Sequence, residues 1–254
     1  MSFFVNNVYP IKWDNHAFEN LVLPKTQKKL VLALSKTQAS SANNFDDIIS
    51  GKGKGMILLL SGPPGVGKTL TAEAVSENMQ VPLYVMSAGD LGVRPEEVEM
   101  NLENILEMVA KWKAILLIDE CDVFLEARSA HDIDRNRLVS IFLRLLEYYQ
   151  GTLFLTTNRV HNIDPAFQSR IHVHMKYADL TVKSRRQIWA SFVEKMPSEF
   201  GEGELDDLAK VVLNGRQIKN LVKTAQLLAL EDGKVLGREH VDMVLAIEQG
   251  FEED

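Results

Sequence analysis

Gly62-Pro-Pro-Gly-Val-Gly-Lys-Thr69 is the stretch of sequence that decides the fold. It matches the pattern G-x-x-x-x-G-K-[ST], follows the apolar run Met56–Leu60 and opens a helical pattern over Lys68–Met79. Glycines let successive backbone N–H groups turn inward around phosphate oxygens, and the helix start adds the positive end of its dipole. The motif therefore predicts a phosphate-binding loop between a buried strand and a helix. A glycine-rich connecting turn without a ligand is the alternative.

Two side chains of this loop have separate expected roles. Lys68 would reach the β- and γ-phosphates of a nucleotide, and the Thr69 hydroxyl would bind Mg²⁺. The predicted nucleotide-binding residues of the loop are Gly62, Pro63, Pro64, Gly65, Val66, Gly67, Lys68, Thr69 and Leu70.

A pair of carboxylates, Asp119 and Glu120, follows the apolar run Ala114–Ile118. Ligands of open α/β sheets bind at the carboxyl ends of the strands, where this pair is expected. Asp119 would hold Mg²⁺ through water, and Glu120 would orient and deprotonate the water that attacks the γ-phosphate. A strand that simply ends in solvated acids is the alternative.

Apolar runs alternate with helical patterns through the middle of the chain, which predicts a parallel sheet with helices on both faces. The predicted strands are Met56–Leu60, Val81–Met86, Ala114–Ile118, Thr152–Thr156 and Ile171–Met175. Helical patterns then continue without further strands over 181–195, 204–213, 215–231 and 238–249. The predicted division is a lead-in segment and linker over 1–55, an α/β core over 56–178 and a small all-helical domain over 179–254.

Composition excludes several classes of protein. The chain has 254 residues and a net charge of −7, so no global positive field favours nucleic acid. Its apolar runs are far shorter than the roughly 20 residues of a membrane span, and no basic stretch precedes an apolar one at the N-terminus. The single cysteine, Cys121, cannot form an internal disulfide, which fits a reducing compartment. We expect a cytoplasmic or nuclear protein.

These residues resemble the AAA+ family of ring-forming ATPases. Gly62–Thr69 is similar to the Walker A motif of the family and Ile115–Glu120 to its Walker B motif. Leu155–Asn158 resembles the strand that ends in the sensor 1 residue, and Ile163–Ala166 followed by Arg170 resembles the second region of homology. Within the family, the amino-acid sequence is most similar to AAA domains of large fungal ATPases.

The resemblance extends over roughly residues 14–250 and implies a fold: a P-loop core followed by a helical lid. Since the chain starts and stops close to the limits of one ATPase module, we expect a fragment of a longer protein.

The resemblance also implies roles for individual residues. Asn158 would hydrogen-bond the attacking water or the γ-phosphate, and Arg170 would act as an arginine finger on a neighbouring subunit's nucleotide. Arg216 resembles the sensor 2 arginine, which contacts the nucleotide of its own chain, and Ile188 would pack on the adenine. The alternative for Asn158 is an asparagine in a turn. The alternatives for the two arginines are a surface residue for Arg170 and a residue of the first helical turn for Arg216. The segment Gln168-Ser-Arg-Ile171 departs from the family pattern, because it carries one arginine where many members carry two.

The predicted function is Mg²⁺-dependent ATP hydrolysis coupled to conformational change in a homo-oligomeric ring, hexamer-like or partial. ATP, ADP and an unidentified protein substrate would be its partners. The alternative is a nucleotide-gated assembly scaffold or switch with negligible turnover. The sequence lacks the N-K-x-D and D-x-x-G motifs, which argues against a GTPase. The segment Ser87–Arg94 has no aromatic residue to grip a threaded polypeptide.

Several other residues carry open alternatives. His172 and His174 suit a structural role better than a metal site, and Cys121 suits a packed thiol better than a redox switch. Other weaker candidates are Lys52 and Lys54 as ligand contacts, Leu21 and Val22 as base contacts, Arg159 as a second cation and Arg128 at a subunit edge.

Overall fold

A computed structural model of the chain describes residues 10–39, 55–92, 94–128, 132–159, 163–201, 203–248 and 250. Its strands are β1 (Met56–Ser61), β2 (Leu83–Ser87), β3 (Ile115–Asp119), β4 (Thr152–Thr157), β5 (Val173–Lys176), β6 (Ser198–Glu199) and β7 (Leu236–Gly237). Its α-helices are α1 (Lys25–Ala39), α2 (Lys68–Met79), α3 (Pro95–Trp112), α4 (Asp122–Leu125), α5 (Ile133–Tyr148), α6 (Pro165–Gln168), α7 (Val182–Val193), α8 (Glu204–Lys210), α9 (Gly215–Glu231) and α10 (Arg238–Glu248). A 3₁₀ turn, Ala88–Leu91, follows β2.

The main sheet has five strands in the order β2-β3-β4-β1-β5. Strand β3 is parallel to both neighbours, with Ser87 of β2 opposite Asp119 and Thr152 of β4 opposite Ile115. The predicted fold class, a parallel sheet covered by helices on both faces and followed by a helical region, is confirmed. Parallel strands bring their carboxyl ends to one edge, so Asp119 lies at the edge where ligands of such sheets bind.

The chain divides into two compact units. Of the described residues, the first takes in 10–39, 55–59, 69–92, 94–128, 132–156 and 163–173, and the second takes in 60–68, 157–159, 174–201, 203–248 and 250. The domain boundaries expected from the sequence, 1–55, 56–178 and 179–254, stay predictions.

The first unit has a core built from the central strands and the helices that cover them. Nearly every residue of β1, β3 and β4 is buried, because helices cover both faces of the sheet and leave no polar alternation along the strands. Phe124 of α4 stacks on Phe142 of α5 with ring centroids 4.7 Å apart, and Phe167 of α6 lies against Phe142. This aromatic cluster fixes the two short helices that follow β3 and β4.

The second unit packs α7 to α10 around Trp189, which is fully buried. Helix α9 begins with a capping box, since Asn214 accepts from the Gln217 N–H and the Gln217 side chain accepts from the Asn214 N–H. The sequence predicted no strands after residue 179, and this was wrong. Strands β6 and β7 form a parallel pair of two residues each, too short to leave a periodic signal.

Helix α1 was absent from the sequence-based prediction, which treated residues 1–55 as a lead-in segment and linker. Residues 40–54, with Lys52 and Lys54, lie outside the described residues. Among the described helices, none is both long enough and apolar enough to cross a membrane.

Candidate active site

The phosphate loop belongs to the second unit as far as Lys68. Its glycines have left-handed backbone angles, with φ of 148° at Gly62, 73° at Gly65 and 101° at Gly67. A Cβ at Gly62 would lie 2.3 Å from the carbonyl oxygen of Tyr177, so only glycine fits this close approach of two backbones. The sequence pattern of the loop therefore corresponds to a steric requirement of the fold.

The Lys68 ammonium is buried and held by oxygen atoms. Its Nζ donates to the carbonyl oxygens of Gly62 at 2.8 Å and Pro63 at 2.6 Å, and to Oδ1 of Asn158 at 2.9 Å. The structure thus brings together two residues that the sequence assigned to one site. A buried ammonium held by oxygen acceptors is chemically suited to phosphate oxygens, and the binding of phosphate by Lys68 stays a prediction.

Thr69, the second residue of α2, belongs to the first unit and faces the acidic end of β3. Its hydroxyl lies 3.2 Å from Oδ1 and 3.1 Å from Oδ2 of Asp119. A hydroxyl and a carboxylate are the hard oxygen donors that Mg²⁺ prefers. The residues present therefore fit a magnesium ion.

A residue that sequence reasoning missed, Thr156, also binds this acidic end. Its hydroxyl donates to Oδ1 of Asp119 and accepts the backbone N–H of Glu120 at 3.0 Å. Thr156 is only 1% exposed. The available signal was a hydroxyl residue at the end of an otherwise apolar strand.

Glu120 combines an exposed side chain with a left-handed backbone, φ 54°. For a residue other than glycine this conformation is uncommon and is often found at functional sites. Glu120 lies in the turn between β3 and α4, directly after Asp119, and its side chain is accessible to solvent. That exposure suits a base that must reach a water molecule.

Arg170 lies within the first unit, against α5 and α6. Its Nη1 donates to the carbonyl oxygen of Ala166 at 3.0 Å, and Nη2 lies 3.6 Å from Oε2 of Glu147. The side chain is 30% exposed. The structure thus places the predicted arginine finger in contact with groups of its own chain.

The two candidates from the helical part lie in the second unit. Helix α9 begins against the phosphate loop, where the Gly215 N–H donates to the carbonyl oxygen of Gly65 at 2.8 Å. The Cδ1 atom of Ile188 lies 3.7 Å from the position a Cβ would take at Gly215. Arg216, the next residue of α9, is exposed. Both residues therefore sit near the loop, and their roles toward a nucleotide stay predictions.

The remaining loop residues differ in exposure. Val66 is buried, Pro63 half-buried, Pro64 exposed and Leu70 51% exposed. The backbone of the loop, rather than these side chains, is the part suited to phosphate.

The two histidines near β5 both hydrogen-bond β1. Nδ1 of His172 accepts the Ile57 N–H at 3.1 Å, and Nε2 of His174 lies 2.7 Å from the Ser61 hydroxyl. Partial burial lowers the pKa of both imidazoles, and nearby Lys176 lowers that of His174 further. Within the described part of the chain, no group of three or more histidine, cysteine, aspartate or glutamate residues could hold a metal. A structural role fits both histidines.

Four minor candidates lie among the described residues. Cys121 is fully buried, and this burial raises the pKa of its thiol well above the ordinary value, which favours a packed thiol over a redox switch. The Arg128 side chain is 49% exposed and forms an ion pair with buried Asp164 at 2.8 Å. Leu21 is buried, and Arg159 is exposed.

An α/β sheet with a phosphate loop after β1 and an acid pair after β3 defines a P-loop nucleotide-binding domain. Residues 58–178 match the family described as ATPase family associated with various cellular activities (AAA). Residues 58–178 therefore form a domain of the AAA family of ATPases.

Relatives of several kinds share this domain. ATPase family gene 2 protein homolog B of Bos taurus is 31% identical over 187 residues, which are 68% of this chain and 24% of that protein. A putative 26S proteasome regulatory subunit homolog of Methanothermobacter marburgensis is 28% identical over 74% of this chain and 54% of its own length. ATP-dependent zinc metalloprotease FtsH 1 of Rhodopirellula baltica is 30% identical over 70% of this chain and 28% of its own length. The chain thus spans from about a quarter to about half of these relatives.

Proposed function

We propose that this chain is a Mg²⁺-dependent ATPase module whose ATP binding and hydrolysis drive conformational change in an oligomeric ring or partial ring. The observation that carries the proposal is the contact between the Thr69 hydroxyl and the Asp119 carboxylate, directly before Glu120. A metal-binding pair next to an exposed carboxylate is the arrangement that phosphoryl transfer to water requires. Membership of an ATPase family supports the same chemistry.

The residues divide the work of hydrolysis among them. Backbone N–H groups of the phosphate loop and the Lys68 ammonium bind the phosphates, while Thr69 and Asp119 would hold Mg²⁺. When bound, the ion neutralises charge on the β- and γ-phosphate oxygens.

Glu120 accepts a proton from water as the water oxygen bonds to the γ-phosphorus. The bond between that phosphorus and the bridging oxygen breaks, and ADP leaves with its electron pair. Asn158 orients the water or the γ-phosphate by hydrogen bonding.

In the proposed ring, Arg170 reaches the γ-phosphate of a neighbouring subunit and neutralises charge in the transition state, an effect worth about 10³–10⁵ in rate in characterised NTPases. Arg216 and Ile188 contact the nucleotide of their own chain.

A second candidate function is a nucleotide-gated assembly switch with negligible turnover. It is favoured by one observation: the Arg170 guanidinium contacts Ala166 and Glu147 of its own chain. A protein that kept this arrangement after assembly would bind ATP without completing the site of its neighbour.

The substitution Glu120→Gln tests the proposed reaction, with Glu103→Gln on the exposed face of α3 as a matched control. We expect E120Q to bind Mg²⁺-ATP like the unchanged chain while turnover falls by about 10²-fold or more, because the base is lost. E103Q should leave both quantities unchanged. Turnover that persists in E120Q would contradict the assigned base.

A further inference from the structure

Thr156 is connected to three consecutive residues at the end of β3. Its hydroxyl contacts Asp119 and Glu120, and its carbonyl oxygen accepts the Cys121 N–H at 2.9 Å. The Cys121 thiol also lies 3.0 Å from that carbonyl oxygen. One residue of β4 thus holds the turn that carries both acids.

The direction of the two hydroxyl bonds follows from the chemistry of the partners. The Glu120 N–H can only donate, and an ionised Asp119 carboxylate can only accept. The single Thr156 proton therefore points to Oδ1 of Asp119, and a lone pair of the same oxygen receives the Glu120 N–H. When both hydrogen bonds form, the Thr156 hydroxyl has a single orientation.

Each bond fixes a different part of the site. The bond to Asp119 restricts rotation of a carboxylate that also contacts the Thr69 hydroxyl. The bond to the Glu120 N–H holds a backbone whose φ of 54° is unfavourable for glutamate. Because the direction of the Cα–Cβ bond depends on the backbone angles, the second bond fixes the direction in which the Glu120 side chain leaves the backbone.

We propose that Thr156 is a positioning residue, which orients the Asp119 carboxylate toward the metal and the Glu120 carboxylate toward the attacking water. This inference rests on the proposed ATPase function. Thr156 acts through its hydroxyl, by way of Asp119 and Glu120.

The test compares three variants of the chain. Thr156→Val keeps shape and burial but removes both hydroxyl bonds, and Thr156→Ser keeps the hydroxyl. Thr152→Val makes the same change at a buried threonine at the start of β4, roughly 13 Å away at about 3.3 Å per residue.

Two measurements separate positioning from general structure. Mn²⁺ titration in the presence of ADP, followed by electron paramagnetic resonance, reports the metal site without turnover. Binding of a fluorescent ADP analogue in EDTA reports the phosphate loop without metal. We expect T156V to weaken Mn²⁺ binding or to lower kcat by about 10–100-fold, as loss of a partner of a metal ligand does. Its metal-free ADP binding should not change, and T156S and T152V should resemble the unchanged chain.

Two results would overturn the proposal. In the first, T156V differs from the unchanged chain by less than about twofold in Mn²⁺ affinity and kcat, far below the usual effect of such a partner. In the second, T156V and T152V lose metal-free ADP binding equally, which would mark a purely structural role. If the unchanged chain binds Mn²⁺ and ADP without hydrolysing ATP, the proposed hydrolysis fails, and the Mn²⁺ affinities alone decide the role of Thr156.

Discussion

The ammonium of Lys68 lies 2.9 Å from the side-chain oxygen of Asn158, although 90 residues separate them in the chain. With its oxygen turned to the lysine, the Asn158 amide directs its two N–H donors away from that cation. Such donors suit a phosphate oxygen or a water molecule. This orientation suits the role that the resemblance implies for Asn158, hydrogen bonding to the attacking water or the γ-phosphate, which stays a prediction.

Asn158→Ala should lower kcat by about 100-fold, as loss of one positioned donor does in other enzymes, with a smaller effect on the KM for ATP. Asn104→Ala, at an exposed position of α3, serves as the control and should leave both constants unchanged. Steady-state ATP turnover measures both. A rise in the KM for ATP of about 100-fold with kcat unchanged would contradict this prediction. It would indicate that Asn158 contributes to ATP binding but not to stabilisation of the transition state.

Glu147→Gln should raise turnover in an assembled protein, because Glu147 competes for the Arg170 guanidinium at 3.6 Å. Partly exposed ion pairs are worth at most about 1 kcal/mol, so the gain should not exceed about fivefold. The measurement is turnover at high protein concentration, with E103Q as the control for the change in charge. A fall in turnover with E147Q alone would mean that Glu147 positions Arg170 rather than restrains it.

Acidification should destabilise the chain below a pH of about 6.5, the ordinary histidine pKa. Partial burial lowers the pKa of His172 in the folded protein, and Nδ1 must stay unprotonated to accept the Ile57 N–H. The unfolded chain then binds more protons, so stability is complete above that pH and declines as the pH falls toward the folded-state value.

Denaturant unfolding at pH 7.5 and 5.5 measures this effect. His172→Gln should flatten the dependence on pH, and His16→Gln, at an exposed histidine, should not. An unchanged slope in H172Q would exclude His172 as its source.

Two loop glycines should differ in their tolerance of alanine. Gly67→Ala meets nothing within 4 Å and suffers only from a φ of 101°, so we expect a loss of about 1–3 kcal/mol in the free energy of unfolding. Gly62→Ala adds a Cβ 2.3 Å from the Tyr177 backbone and should cost clearly more. Thermal or denaturant unfolding of the two variants compares them, and equal losses would show that the loop relaxes away from Tyr177.

The parts of the site that were predictable from sequence are local in the chain. The spacing of Gly62–Thr69 and the acids after Ile118 carry their chemistry within a few residues, and two-sided burial makes the central strands recognisable as apolar runs. Helix α2 and helix α9 begin and end where the sequence predicted, because each pattern is bounded by a clear signal.

The rest depends on which elements become neighbours. Thr156 contacts Asp119 only because β4 pairs beside β3, and strand order cannot be obtained from one strand's pattern. The Arg170 contact with Glu147 likewise depends on how α5 and α6 pack. Helix α1 has a mixed polar sequence without a clear start, and β6 and β7 are too short for periodicity.

Steady-state ATP turnover per chain, measured with Mg²⁺ over a wide range of protein concentration, tests the central claim most directly. We predict a rate per chain that rises with concentration and collapses in both E120Q and Arg170→Ala, because each site is completed by a neighbouring subunit. A rate that stays near zero at every concentration, despite tight ATP binding, would contradict the ATPase and favour the assembly switch.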